Sequence, residues 1–273
     1  MRYTTFWLTL PLLLLCYLHD NVNAQDSVNA PEVVLPSKDR FHLFLLVGQS
    51  NMAGRGKVEP QDKAPHPRVL MLNKSDQWVA AVDPLHFDKP AAGVGLGKTF
   101  GQIVADANPD VTIGLIPCAV GGSPLDSWKP SVLYPPTKSH PWDDAIRRAK
   151  FAQRDGELKG ILWHQGESDS NAKLAESYEG KLQLLISQLR ETLEAPKVPF
   201  VIGQLGQFDD VPWDANRARI DSAHQSLART VPKVGFVSSK ELKHGGDKIH
   251  FDAASLREFG KRYAAEFLRV QSK

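Results

Sequence analysis

Phe41-His42-Leu43-Phe44-Leu45-Leu46-Val47-Gly48-Gln49-Ser50-Asn51-Met52-Ala53-Gly54 is the stretch on which the reading of this chain turns. From Phe41 to Val47 only His42 is polar, so the run lacks the alternation of a half-buried strand. Near-continuous apolar runs belong to strands covered on both faces. Gly48 breaks the run, and a serine follows at the strand's carboxyl end. In open α/β sheets that edge is where ligands bind. A serine hydroxyl is a weak nucleophile until a neighbour takes its proton. Far downstream, Asp247-Lys248-Ile249-His250 offers such a base together with a carboxylate to orient it.

The rest of the chain extends this pattern. Strands are expected at residues 41–47, 111–118, 160–164, 198–204 and 234–238. Amphipathic segments at 96–107, 142–154, 172–193, 213–230 and 253–270 are expected to be helices, the last capped by Asp252. Strands alternating with helices predict βαβ units, a central parallel sheet and helices on both faces. Residues 68–72 and 77–81, joined by Asn73-Lys74-Ser75-Asp76, read as a small hairpin outside that rhythm. No internal repeat is visible, and one domain from residue 41 to 273 is the economical reading.

The first 24 residues read as a secretory signal: Arg2, an apolar run from Phe6 to Leu18, and small residues at Val22-Asn23-Ala24. An uncleaved anchor is the competing reading, although the run is shorter than the ~20 residues a span needs. Residues 25–40, polar and carrying Pro31 and Pro36, read as a linker. A secreted or periplasmic location is therefore expected. Cleavage would remove Cys16 and leave Cys118 alone, so no intramolecular disulfide is expected. The net charge of +2 gives no reason to expect nucleic acid or a membrane surface as partner.

Three segments follow predicted parallel strands and should converge on one sheet edge: Ser50, Ala119-Val120-Gly121-Gly122-Ser123, and Trp163-His164-Gln165-Gly166-Glu167-Ser168-Asp169. With Asp247 and His250 they supply what ester hydrolysis needs. Ser50 attacks a carbonyl, His250 takes its proton and returns it to the leaving alcohol, and Asp247 orients the imidazole. The developing oxyanion needs donors, for which the Ser50 amide, the Gly122 amide and the Gln165 side chain are candidates. Asn51 either contacts substrate or fixes the serine turn, and the turn is the simpler role. Trp128, Trp142 and Trp213 include candidates for stacking on a substrate ring, against a default of packing. His42, His66, His86, His140, His224 and His244 have no better claim than surface or packing roles.

Gly48-Gln49-Ser50-Asn51, the Gly121-Gly122 pair, His164-Gln165-Gly166-Glu167 and Asp247-x-x-His250 resemble the SGNH/GDSL hydrolase superfamily. Within it they are similar to the sialate O-acetylesterase-type domain and the family 6 carbohydrate esterases, from about Phe41 to Phe267. The resemblance implies a three-layer α/β/α fold and removal of acetyl groups from sugars, with no metal or other cofactor. It assigns Ser50 as nucleophile, His250 as base, Asp247 as acid, and Ser50, Gly122 and Gln165 as oxyanion donors. It also makes Glu167 a second candidate acid, with Asp247 favoured because three residues place it beside His250 on one turn.

Other readings fit the sequence less well. Ala92-Gly93-Val94-Gly95-Leu96-Gly97-Lys98-Thr99 fits a relaxed phosphate-loop pattern, but the preceding residues 83–90 are polar and proline-broken rather than a buried strand. No paired-cysteine or His-Glu-x-x-His spacing suggests zinc. A catalytically weak carbohydrate-binding module on the same fold, or a lipase or thioesterase-like hydrolase, are the functional alternatives.

Overall fold

The computed structural model describes residues 1–2 and 33–272. The expected signal at residues 1–24 falls almost wholly outside that range, as does the start of the expected linker. Val33–Lys273 forms one compact unit, and every element named below belongs to it. Val33 and Leu35 pack against the core, so the last residues of the expected linker are bound to the domain.

Seven strands form one sheet: β1 (Phe41–Gly48), β2 (Val69–Leu72), β3 (Trp78–Ala80), β4 (Thr112–Pro117), β5 (Glu157–His164), β6 (Phe200–Gly203) and β7 (Val234–Val237). Their spatial order is β3-β2-β4-β1-β5-β6-β7. All neighbours run parallel except β3, which is antiparallel to β2. The hairpin predicted at 68–81 forms, but it is not outside the sheet. β2 pairs in parallel with β4 and extends the sheet edge. Four residues of Val-Leu-Met-Leu, all buried, were too short a signal to announce a sheet strand.

β1 is central because nearly all of it is apolar. Phe41, Leu43, Leu45 and Val47 enter one core; Phe44 and Leu46 enter the other. That alternation is the strand pleat with both faces covered. Helices α2 (Gly97–Ala107) and α6 (Ala253–Gln271) cover one face. Helices α3 (Pro141–Ala152), α4 (Tyr178–Thr192) and α5 (Ala215–Thr230) cover the other. The result is the three-layer α/β/α sandwich expected from sequence. Asp252 caps α6 as predicted, accepting the Ser255 N–H at 2.7 Å, and Asp214 caps α5 in the same way. From β1 the chain builds outward on both sides, toward β4 and β2 on one and β5 to β7 on the other. A strand order that reverses in this way opens a crevice at the carboxyl edge.

Candidate active site

Three loops meet over that crevice. β1 ends at Gly48, whose φ of +130° and lack of Cβ let the chain turn directly over the backbone of His164. Gln49 N–H then donates to His164 O at 2.9 Å, and a single helical turn, α1 (Ser50–Ala53), begins at the serine. The segment after β4 is tied to the same place by Val120 N–H donating to Gly48 O at 2.9 Å. Gly122, at φ +81°, takes a second turn that a side chain would strain, and a Cβ there would also crowd the Tyr134 hydroxyl. Asp88 secures this loop: its Oδ2 accepts from Gly121 N–H at 2.8 Å and from Arg55 Nη2 at 2.7 Å.

The loop after β7 brings in His250, the expected base. Asp247 Oδ1 accepts from the N–H groups of Ile249 and His250 at 2.9 and 2.8 Å, which folds the Asp-x-x-His turn. Its other oxygen lies 2.6 Å from His250 Nδ1, and His250 Nε2 lies 2.9 Å from Ser50 Oγ. With Nδ1–H donated to the carboxylate, Nε2 is free to accept the serine proton. Burial alone would raise Asp247, but the two backbone N–H groups and the imidazole hold it at about 2.

Asn51 locks this loop to the turn that carries Ser50. Its Oδ1 accepts from Phe251 N–H at 3.2 Å, and its Nδ2 donates to Ile249 O at 3.2 Å, so one carboxamide brackets His250 on both sides. The same Nδ2 donates to Glu167 Oε1 at 2.6 Å. Burial would raise Glu167, but His164 and the Asn51 amide outweigh it and hold the carboxyl at about 2. His164 Nε2 stands 3.5 Å away, the limit of a hydrogen bond, so the Asn51 contact is the firmer of the two. Glu167 is thus spent on Asn51, while Asp247 occupies the His250 ring.

Gln165 does not line the cavity over Ser50. Sequence reasoning aimed its amide at the oxyanion, yet the side chain is fully buried and its Nε2 is turned inward. It donates to Asp169 Oδ2 at 2.5 Å, with Ser123 O and Gln49 Oε1 at 3.2 and 3.3 Å. Tyr178 OH fixes the opposite end by donating to Gln165 Oε1 at 2.9 Å. A strand-end amide has the reach for either direction; the polar groups packed beneath it choose. The residue left facing the cavity is Gln49. Its Oε1 accepts from Gln165 Nε2 and from Ser168 N–H, both at 3.3 Å, which leaves its NH2 group unspent beside Ser50.

The cavity over Ser50 has a volume of about 450 Å³ and is also lined by Gly122, Arg55, Lys89, Ile249 and His250. A larger depression of about 830 Å³ lies at the opposite ends of the strands, around Lys159, Lys197 and Lys233, with no nucleophile–base pair. Sequence reasoning missed Gln49, Arg55, Asp88 and His244. His244 Nδ1 accepts from Gly246 N–H at 2.9 Å while its Nε2 faces Asp210 Oδ1 at 3.1 Å, so it supports the loop that carries His250. Its nearness to His250 was the one available signal. Lys98 of the phosphate-loop decoy is spent on the carbonyls of Gln61 and Asp62. Trp128 and Trp142 are buried packing residues; Trp213 is half-buried.

Residues 40–269 match the family described as carbohydrate esterase, sialic acid-specific acetylesterase. The chain belongs to that family. It is therefore a carboxylic ester hydrolase of the carbohydrate acetylesterase group. A probable carbohydrate esterase of Arabidopsis thaliana, At4g34215, is 30% identical over 260 residues, spanning 87% of this chain and 94% of the relative. The crystal structure of that Arabidopsis protein superposes with a TM-score of 0.74 at 29% identity, covering 84% of this chain and 98% of that one. NanS shares the fold at TM-score 0.68 and 15% identity, over 86% of this esterase and 98% of NanS. So does XAC1771, a carbohydrate acetylesterase from Xanthomonas citri, at 0.64 and 20%, over 85% and 57% of the two chains.

Proposed function

We propose that this esterase is exported and removes acetyl groups from sugars through an acetyl-serine intermediate formed on Ser50. The observation that carries the reading is the unbroken relay from Ser50 Oγ to His250 Nε2 at 2.9 Å and from His250 Nδ1 to Asp247 at 2.6 Å. Ser50 Oγ attacks the acetyl carbon as its proton passes to His250. The resulting oxyanion is met by the N–H groups of Ser50 and Gly122, which make no hydrogen bond among the described residues. The Gln49 NH2 group completes the set in place of Gln165, which serves to position it. The tetrahedral species collapses, and His250 hands its proton to the departing sugar hydroxyl. Water then attacks the acetyl-enzyme by the same steps in reverse roles, releasing acetate and restoring Ser50. Each oxyanion donor is worth about 3 kcal/mol of barrier.

Purified protein should release nitrophenol from 4-nitrophenyl acetate and acetate from acetylated sugars. Ser50→Ala should abolish both, and a fluorophosphonate should label Ser50 alone by peptide mass mapping. Full turnover in Ser50→Ala, or an adduct on another residue, would refute the mechanism.

A further inference from the structure

A second depression lies on the same carboxyl edge of the sheet, over β6 and β7. It has a volume of about 460 Å³ and is built from the loop after β6 and the residues just after β7. Trp213, Val211 and Pro212 give it an apolar wall. The Trp213 ring is set in place by its Nε1–H donating to Gly206 O at 2.8 Å. Gln207, Asp209, Lys240 and Glu241 supply its polar groups. Beside the catalytic cavity, Arg55 is spent on Asp88 and Glu167 on Asn51. These four are exposed and have no side-chain hydrogen bond or ion pair among the described residues.

The depression connects to the catalytic loop. Phe208, buried at its floor, meets the His244 ring edge-on at 5.1 Å and the Phe251 ring at 5.3 Å. Those rings support and follow the turn that carries His250. From β1 to β6 is two strand spacings, roughly 10 Å, so the two cavities sit side by side along one edge. Ile249, exposed and lining the catalytic cavity, lies on the loop between them.

We propose that this depression is a sugar-binding subsite that holds the continuing chain of a neutral, acetylated oligosaccharide while Ser50 works on an acetyl group beside it. The proposal rests on the acetylesterase reading and adds the length and charge of the substrate. A fixed aromatic wall with a few unspent polar groups is how a protein binds a flat, hydroxyl-bearing ring. Sugar hydroxyls can donate to the carboxylates of Asp209 and Glu241 and to the Gln207 carbonyl, and accept from Lys240. Two free carboxylates against one ammonium make the subsite unfavourable for an anionic chain.

The test compares Trp213→Ala with the parent protein on 4-nitrophenyl acetate and on a ladder of acetylated neutral oligosaccharides. In the parent, kcat/KM should rise with chain length. Trp213→Ala should lower kcat/KM on long substrates by at least about tenfold, mainly through KM, and leave the nitrophenyl ester within about twofold. Trp213→Phe, which keeps a ring, should recover most of the loss. If Trp213→Ala fails to fold, Glu241→Gln and Asp209→Asn should raise KM in the same length-dependent way. Length-independent kinetics, or equal loss on both substrate types, would overturn the subsite. Calorimetry of deacetylated oligosaccharide with Ser50→Ala separates the two readings, because it needs no turnover. Binding there that depends on Trp213, in a protein whose parent hydrolyses no ester, keeps the subsite and rejects the esterase mechanism. Active parent enzyme with no such binding does the reverse.

Discussion

Asn51→Asp changes one nitrogen to oxygen, yet it should be among the most damaging substitutions in this protein. The Asn51 NH2 group faces Glu167 Oε1 at 2.6 Å and Ile249 O at 3.2 Å. In Asn51→Asp three acceptors would meet with no hydrogen between them, two of them on charged carboxylates. Two unit charges about 4 Å apart repel by about 4 kcal/mol at an effective dielectric constant of about 20. Loss of the charge-assisted bond adds about 2 kcal/mol. A domain whose whole stability is about 5–15 kcal/mol cannot absorb that sum unchanged. Relief comes from binding a proton between the carboxylates, which raises the apparent pKa of the pair by about 3 units. The sign of the pH dependence then differs between the two proteins. In the parent, Glu167 is held at about 2 against an ordinary 4.5, so its contribution is present above that ordinary value and fades as pH falls toward 2. In Asn51→Asp the folded pair titrates above its unfolded value, so the protein is sound at low pH and loses stability as pH rises through the raised pKa. Urea denaturation at a series of pH values measures both. The loss should be about 3–5 kcal/mol at neutral pH and shrink by several-fold near pH 5. The same midpoint as the parent at neutral pH, or a deficit that does not respond to acid, would refute the assignment of Asn51 as the clamp. Adding Glu167→Gln to Asn51→Asp should restore most of the lost stability, since it removes the like charge.

Gln49→Glu keeps both bonds to Gln49 Oε1 but replaces the free donor with a charge, so kcat should fall about 10²- to 10³-fold with KM little changed, read from steady-state kinetics. Gln165→Met, which releases Gln49, Asp169 and Tyr178 but leaves the Gln49 NH2 group in place, should lower kcat less than Gln49→Glu in the same assay; the reverse order would return Gln165 to the oxyanion. His244→Ala removes the acceptor for Gly246 N–H and should lower kcat by about tenfold while the thermal midpoint moves little, because the loop it supports is exposed. Arg257 holds buried Asp62 in a two-pronged ion pair at 2.9 and 2.8 Å. Arg257→Ala should therefore cost about 3 kcal/mol in denaturation and leave kcat on the nitrophenyl ester unchanged.

The fold was legible because its signals are local. An apolar run in β1 requires two covered faces, and five such runs separated by amphipathic segments require a layered parallel sheet. β2 escaped because a four-residue strand beside a turn is indistinguishable in sequence from an isolated hairpin. The Asp247–His250 turn was legible for the same reason: a three-residue spacing lets one carboxylate cap two N–H groups and face the imidazole. The partners of the Gln165 and Asn51 amides were not legible, because a side-chain amide is fixed by what packs around it. Asp169, Tyr178 and Ser123 lie close to Gln165 only after folding.

By itself, the order of residues determined which segments are strands, which serine stands at a strand end, and which turn brings Asp247 against His250, since each depends on neighbours within a few positions. Tertiary structure alone decided where each buried amide and carboxylate points: Gln49 to the cavity, Gln165 beneath it, Glu167 to Asn51. That decision belongs to the folded state because a buried polar atom must find its partner among whatever other loops bring to it, at a cost of about 1–3 kcal/mol if it finds none.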